Sequence, residues 1–220
     1  MLSARNEAKL RAIAAPNDLV VAGDITDETV RTSLIQRAIE RFSGIDVLIN
    51  NAGRGSYYSA TETPLHEARS LFELNFFAPF HLAQLAAPWL RQSRGTLINV
   101  NSIAGQISLP WLSLYSAGKF ALASLTASQR MELRRHGVHV MGVFPGYVDT
   151  DFQAHAAGSL PPDRITKGKR FAVTAGNCAA SIIRGMEARR NTVVTPWIGW
   201  PLVWVNALLP GLLESRMEQI

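Results

Sequence analysis

The chain has no glycine before Gly23, one cysteine, and no charged residue between Thr192 and Leu213. A lone Cys178 excludes an internal disulfide framework. Its setting, "GNCAASII", reads as a small core residue on a helix, and a reducing compartment, the cytoplasm, is the expectation. Met1 is not followed by an uninterrupted apolar run, so no signal peptide is expected. Charged residues make up only 18% of the chain. The basic ones outnumber the acidic ones, 22 to 17, but they are scattered, and "RRH" at 134–136 is their tightest run. Without a basic stripe or a recognised motif, a nucleic-acid partner is not expected. No metal site is expected either.

The uncharged stretch "TVVTPWIGWPLVWVNALLPGLL" is long enough to cross a bilayer on length alone. Pro196, Pro201 and Pro210 interrupt it and Asn206 sits within it, so a spanning helix is not expected. "TVVTP" reads as a short buried strand. The remainder, within a hydrophobic C-terminal extension at 197–220, carries Trp197, Trp200 and Trp204, with Arg189 and Arg190 ahead of them. That pattern suits a hydrophobic lid or a subunit contact, with peripheral membrane contact through 197–213 as the alternative.

What is present is ordinary globular material: 220 residues, 47% apolar, enough for one domain over 1–220 around a single good-sized core. Short apolar runs that end in turn residues occur at 18–26, 45–53, 95–102, 138–146 and 192–195. They alternate with helical spacing at 28–42, about 65–92, 115–135 and 173–189. Such alternation predicts an α/β fold with a mostly parallel sheet and helices on both faces. Ligands bind beyond the carboxyl ends of the strands in such sheets, so function should lie at Asp24, Asn50–Gly53, Ser102 and Pro145–Thr150. At the front, "MLSARNEAKL" reads as the tail of a strand, a turn at Arg5-Asn6, and a helix capped by Asn6 with Leu10 and Ile13 on its buried side.

The richest segment is "NSIAGQISLPWLSLYSAGKF". Tyr115 and Lys119 are four apart at the start of a helix and share a face. A phenol of pKa about 10 exchanges protons poorly at neutral pH. An ammonium about 4 Å away, at an effective dielectric near 20, contributes about 4 kcal/mol, or about three pKa units. That shift would bring the tyrosine to roughly 7, where acid–base catalysis works well. Ser102, at the end of the preceding strand, could hydrogen-bond the same substrate oxygen, or it could be a cap serine. Asn75 is a polar side chain in the apolar "SLFELNFFAPFHL", in either a structural or a site role. "NNAG" at 50–53 could be a strand-ending turn, or a place where a flat ring lies close to the backbone.

"NNAG", Asn75, "NVNSIAG", "YSAGK" and "PGYVDT", in this order and spacing, resemble the short-chain dehydrogenase/reductase family. The resemblance runs over essentially the whole chain and is loosest after Thr150. It implies a Rossmann-type, doubly wound sheet and a nicotinamide-dependent oxidoreductase that interconverts an alcohol and a ketone or aldehyde. By motif position, Tyr115 would be the acid–base. Lys119 would depress its pKa and hold the nicotinamide ribose, Ser102 would orient the substrate oxygen, and Asn75 would anchor a water that links Lys119 to solvent. Asn51, Ala52 and Gly53 would line the adenosine-ribose side. Asp24 would contact adenine with Ile25 beside it, and Pro145, Gly146, Val148 and Thr150 would hold the carboxamide. Asn101 stands where the family more often has Ser. Arg5 falls at the end of the second strand of that fold, where a basic residue favours a 2′-phosphate, so NADP(H) is expected over NAD(H). Tyr57, Tyr58 and Phe152, in the loops at 53–64 and 151–172, would frame the pocket. A homodimer or homotetramer through the long helices is also implied, with Ala117, Ala121 and Ala127 suiting a close helix contact.

The family's opening strand and glycine-rich turn have no counterpart here. The fingerprint glycines should lie roughly 20 residues before the cofactor-selecting position, and only four residues precede Arg5. The chain reads as N-terminally truncated, either because the start is misplaced or cut, or because it is a true short form that is a non-catalytic remnant or scaffold. In both cases weak NADPH binding and poor stability are expected of these 220 residues alone, since that loop holds the pyrophosphate and that strand is central.

Overall fold

The computed structural model describes residues 1–158 and 171–217. Strand β1 (Leu2–Ala4) leads into helix α1 (Glu7–Ile13), with Asn6 as its cap: the Lys9 amide donates to Asn6 Oδ1 at 2.9 Å. Leu10 is buried as expected, but Ile13 is 73% exposed. The helix is only seven residues long and Ala14 turns extended, so the chain leaves the core before Ile13 can pack.

Strand β2 (Val20–Ala22) and helix α2 (Glu28–Phe42) follow, then strand β3 (Val47–Asn50). The long helical run comes next, as α3 (Leu65–Phe72), a π-helical turn (Glu73–Phe77) and α4 (Ala78–Ser93). Strand β4 (Thr96–Val100), helix α5 (Ser113–Arg134), strand β5 (His139–Pro145), helix α6 (Ala175–Glu187), strand β6 (Thr192–Thr195) and the apolar helices α7 (Gly199–Leu208) and α8 (Pro210–Met217) complete the order. Sequence periodicity reads 65–92 as one helix; the π turn interrupts it at Asn75. Pro79 has no N–H to give to the Asn75 carbonyl four residues earlier, which removes the α-helical bond at that point.

Strands β3 to β6 form a parallel sheet in the order β6-β5-β4-β3, with Asn50 opposite Asn99 and Asn99 opposite Gly142. Successive residues of β4 feed opposite faces. Leu97 joins Val140, Leu34, Leu82, Leu90 and Leu133 in one core, while Ile98 joins Met141, Val143 and Val193 under α6 in another. Both faces are therefore covered, giving the parallel α/β architecture the alternation predicts, of the Rossmann type the resemblance implies. Strands β1 and β2 pair only with each other, with Leu2 opposite Val20, and neither is hydrogen-bonded to the larger sheet. The open edge of β3 leaves Val47 and Ile49, which share a face, 41% and 49% exposed.

Candidate active site

One strand end, one helix start and the π turn converge beyond the carboxyl edge of the larger sheet. Ser102 lies two residues past β4, Tyr115 and Lys119 occupy the first turns of α5, and Asn75 projects from the π turn. Asn75 and Lys119 are buried, the latter at 3% exposure, and Tyr115 nearly so. The Lys119 ammonium stands 6.0 Å from the centroid of the Tyr115 ring, and the Tyr115 hydroxyl shares a side-chain hydrogen bond with Ser102. The four-residue spacing and the strand-end serine thus meet in one place, as the sequence predicts.

The electrostatics differ from the sequence expectation. Burial pushes Tyr115 up to about 12, opposed by the Ser102 hydrogen bond and reinforced by Tyr57. Burial also pulls Lys119 down to about 8. The expected drop toward 7 assumed a solvated pair 4 Å apart. In the protein both groups are desolvated, which opposes both charges, and the Lys119 ammonium donates to Val100 O at 3.0 Å. In this structure the tyrosine is thus a neutral phenol, a proton donor.

Asn75 has a definite set of partners. Its Nδ2–H donates to Arg54 O at 2.9 Å and its Oδ1 accepts from the Arg54 amide at 3.1 Å, clamping the loop that follows β3. Arg54 also reaches Glu67 at 2.7 Å, tying the loop to α3. Sequence reasoning missed Arg54, because its contribution is backbone. Ser102 caps the short turn Ile103–Gly105: Oγ accepts from the Ala104 amide at 3.1 Å, while Asn101 Oδ1 accepts from the Ser102 amide at 3.0 Å. The unusual Asn101 therefore holds Ser102's backbone. Beneath the site runs an amide ladder that was also missed. Asn50 Nδ2–H donates to Asn99 Oδ1 at 2.9 Å, and Asn99 Nδ2–H donates to Thr126 at 2.9 Å and Gln129 at 3.1 Å. Its available signal was an asparagine near the end of each of two adjacent strands.

Of the residues expected to hold a cofactor, Gly53 lies directly against Asn75 and Lys119. A Cβ on Gly53 would sit 3.0 Å from Asn75 Oδ1 and 3.5 Å from Lys119 Nζ, so only glycine leaves that floor open. Lys119 has three N–H donors and Val100 O as its one hydrogen-bond acceptor among the described residues. Its spare donors over a side-chain-free floor fit the hydroxyls of a nucleotide ribose. Asn51 and Ala52 are exposed beside Gly53. Arg5 is exposed past β1 and lowers the Asp24 carboxyl, which is held down chiefly by Thr26, whose amide and hydroxyl donate to Oδ1 at 2.9 and 2.8 Å. Ile25 packs on the large core. Pro145 ends β5, the Gly146 amide donates to Thr195 O at 2.8 Å, Val148 pairs with Val173, and Thr150 is exposed. On the substrate side the Phe152 ring meets Tyr115 edge-on, centroids 6.0 Å apart at 60°, and Tyr57 is buried beside it. Most of the expected pocket segment at 151–172 lies outside the described residues.

A family model described as short chain dehydrogenase matches residues 1–159. The chain belongs to the short-chain dehydrogenase family. A short-chain dehydrogenase from Penicillium crustosum is 36% identical over 143 residues, 64% of this chain and 52% of that protein. The chain thus spans about half the length of that relative. A hydroxysteroid 11-beta-dehydrogenase 1-like protein from Gallus gallus is 30% identical over 98% of this chain and 76% of its own length. Among solved structures, a short-chain dehydrogenase from Burkholderia cenocepacia, in complex with NADP, superposes with a TM-score of 0.82 at 25% identity, covering 98% of this chain and 84% of that one.

Proposed function

We propose that this short-chain dehydrogenase is an NADP(H)-dependent oxidoreductase that interconverts an alcohol and a ketone or aldehyde. One observation carries the reading: a buried phenol hydrogen-bonded to Ser102, with an ammonium 6.0 Å from its ring and glycine-floored space beside it. The nicotinamide cofactor, when bound, supplies or takes the hydride. In reduction the Tyr115 hydroxyl gives its proton to the substrate oxygen, and in oxidation the Tyr115 phenolate takes one from the alcohol. Ser102 donates to the same oxygen and stabilises the charge developing there. Lys119 holds the ribose and its positive charge favours the phenolate left after proton transfer. Asn75 fixes the Arg54 loop so that the Gly53 floor stays level. A non-catalytic remnant is the competing reading. Substituting Tyr115→Phe removes the proton while keeping the ring, and should cost about 10²- to 10⁴-fold in turnover with NADPH. Equal turnover by both proteins would refute the assignment.

The preference for NADP(H) rests on Arg5, exposed past β1 with no acid beside it in "SARN". An Arg5→Ser substitution should shift the ratio of kcat/KM values toward NADH; an unmoved ratio would refute Arg5 as the selector. A homodimer or homotetramer finds support in Phe77 and Phe120, both exposed on the helices that carry the site.

A second reading has a specific observation behind it: membrane-surface action on an apolar, lipid-like substrate. Trp197 and Trp204 are 76% and 59% exposed, with Leu208, Leu209 and Leu212 also exposed along α7 and α8. A Cβ on Gly199 would meet Ile103 at 2.5 Å, and Asn206 Nδ2–H donates to Gln106 O at 2.9 Å, so this apolar pair adjoins the turn capped by Ser102. Among the described residues no helix is long and apolar enough to cross a membrane. Arg189 and Arg190 do not assist, because β6 separates them from Trp197 and sets them at the other end of the sheet. Liposome co-sedimentation should weaken for a Trp197→Ser/Trp204→Ser variant; undiminished binding would end this reading.

A further inference from the structure

At the amino ends of the strands, opposite the catalytic residues, helices α4 and α5 finish side by side where β4 and β5 begin. Between them lies an open surface cavity of about 550 Å³ lined by Arg91, Arg94, Arg134, Arg135, His136 and Gly137, all exposed except the half-buried His136. The chain brings two distant sequence runs together here, and neither contributes a carboxylate to the lining. The five ion pairs among the described residues all lie elsewhere. A sixth basic side chain reaches the rim: Arg189 Nη2–H donates to Gly137 O at 3.5 Å.

The cluster exceeds what the helices need. One cation at each helix C-terminus offsets the helix dipole, and Arg91 and Arg134 fill that role in the last turns of α4 and α5. Arg94 and Arg135 follow as the caps and add like charge to the same volume. Arg135 Nε–H donates to His136 Nε2 at 3.1 Å, which makes that nitrogen an acceptor and leaves Nδ1–H as the ring's donor. His136 is held below its usual value, first by desolvation and then by the Arg91 and Arg135 charges. Backbone geometry keeps the space open. Arg94 takes a left-handed φ of 52°, and Gly137, at φ 76°, lies where a Cβ would press on the Arg94 side chain at 3.2 Å.

We propose that this cavity is a second binding site, for a compact ligand carrying two or more phosphate groups. Several guanidinium forks around one concave volume match clustered tetrahedral oxyanions, each able to take paired N–H donors. The volume falls in the range of small-ligand pockets. The lining has no Phe, Tyr or Trp on which bases could stack, and the basic residues form one local cluster rather than an extended stripe, so the fit is to a small multivalent anion rather than to a nucleic-acid strand. The ligand could be a free oligophosphate or the headgroup of a phosphorylated inositol lipid, which present the same chemistry.

The test titrates the whole protein with inorganic tripolyphosphate by calorimetry at low salt, the arginine variants separating binding in this cavity from binding at the catalytic end. Wild type should bind one equivalent, and added salt should weaken it. An Arg94→Asn/Arg135→Gln variant, chosen because asparagine tolerates left-handed φ, should bind at least about tenfold more weakly, as expected for loss of charge-assisted contacts. If that variant melts early, Arg91→Gln/Arg134→Gln serves in its place. Vesicles of phosphatidylcholine with and without phosphatidylinositol bisphosphate separate the sources: co-sedimentation that needs both the phosphoinositide and the arginines assigns a headgroup, and tripolyphosphate binding without it assigns a soluble ligand. No binding by wild type, or equal affinity in the variants, overturns the proposal. Because the cavity is remote from Tyr115, either result leaves the oxidoreductase reading to its own test.

Discussion

Lys119 is a buried cation whose one hydrogen-bond acceptor among the described residues is a backbone carbonyl, and that arrangement has a thermodynamic signature. Its pKa is about 8 in the folded chain against 10.5 for the free side chain. Between those values the unfolded chain holds a proton that the folded one has shed, so this group's contribution to stability rises with pH across that window. The rise is on the order of 3 kcal/mol. Urea unfolding at intervals from pH 7 to 10 should show it in wild type and not in a Lys119→Met variant; parallel curves would contradict it. Tyr115 acts in the opposite sense. Raised to about 12, its contribution is complete below pH 10 and is lost above. The sequence was sufficient to bring Tyr115, Lys119 and Ser102 together, because spacing on a helix and position at a strand end are local properties. It could not reveal the sign of the tyrosine's shift, since that depends on how completely distant segments exclude water.

At the scale of elements, α2 runs over Glu28–Phe42 as its periodicity predicts, with Asp27 as its cap, and the strands fall inside the apolar runs. The π turn at Glu73–Phe77 was hidden, because its apolar pattern continues unbroken from α3 into α4. The clue was an asparagine four residues before Pro79. The turn after β4 is tightly packed. A Cβ on Gly105 would lie 2.5 Å from Asn101 Oδ1 and 2.8 Å from the Lys119 carbonyl, so neither Ser102's support nor α5 can yield easily. Gly105→Ala should therefore lower stability by about 1–3 kcal/mol, as overpacking does, and should reduce turnover along with it. Thermal unfolding that matches wild type would show that the turn has slack.

Over the whole molecule the sheet is divided. The β1–β2 pair has no ladder bonds to the four-stranded sheet, and β3 presents an open edge. Segments with few shared hydrogen bonds open before the core does. Amide exchange should therefore be fast in Leu2–Ala4 and Val20–Ala22 and slowest in β4 and β5; uniform protection would contradict a divided sheet. This division followed from the order of motifs along the chain. The gathering of Arg91 and Arg94 with Arg134–His136 did not, because residues far apart in sequence meet only through the packing of α4 against the strands. The central claim is that Tyr115 transfers the proton beside a bound nicotinamide. The most direct measurement compares NADPH oxidation by wild type and Tyr115→Phe across a panel of ketones and aldehydes, with NADPH affinity followed by fluorescence. The account predicts carbonyl-dependent oxidation by wild type, and its near-complete loss in the variant at unchanged affinity. A variant that turns over as fast as wild type would contradict it.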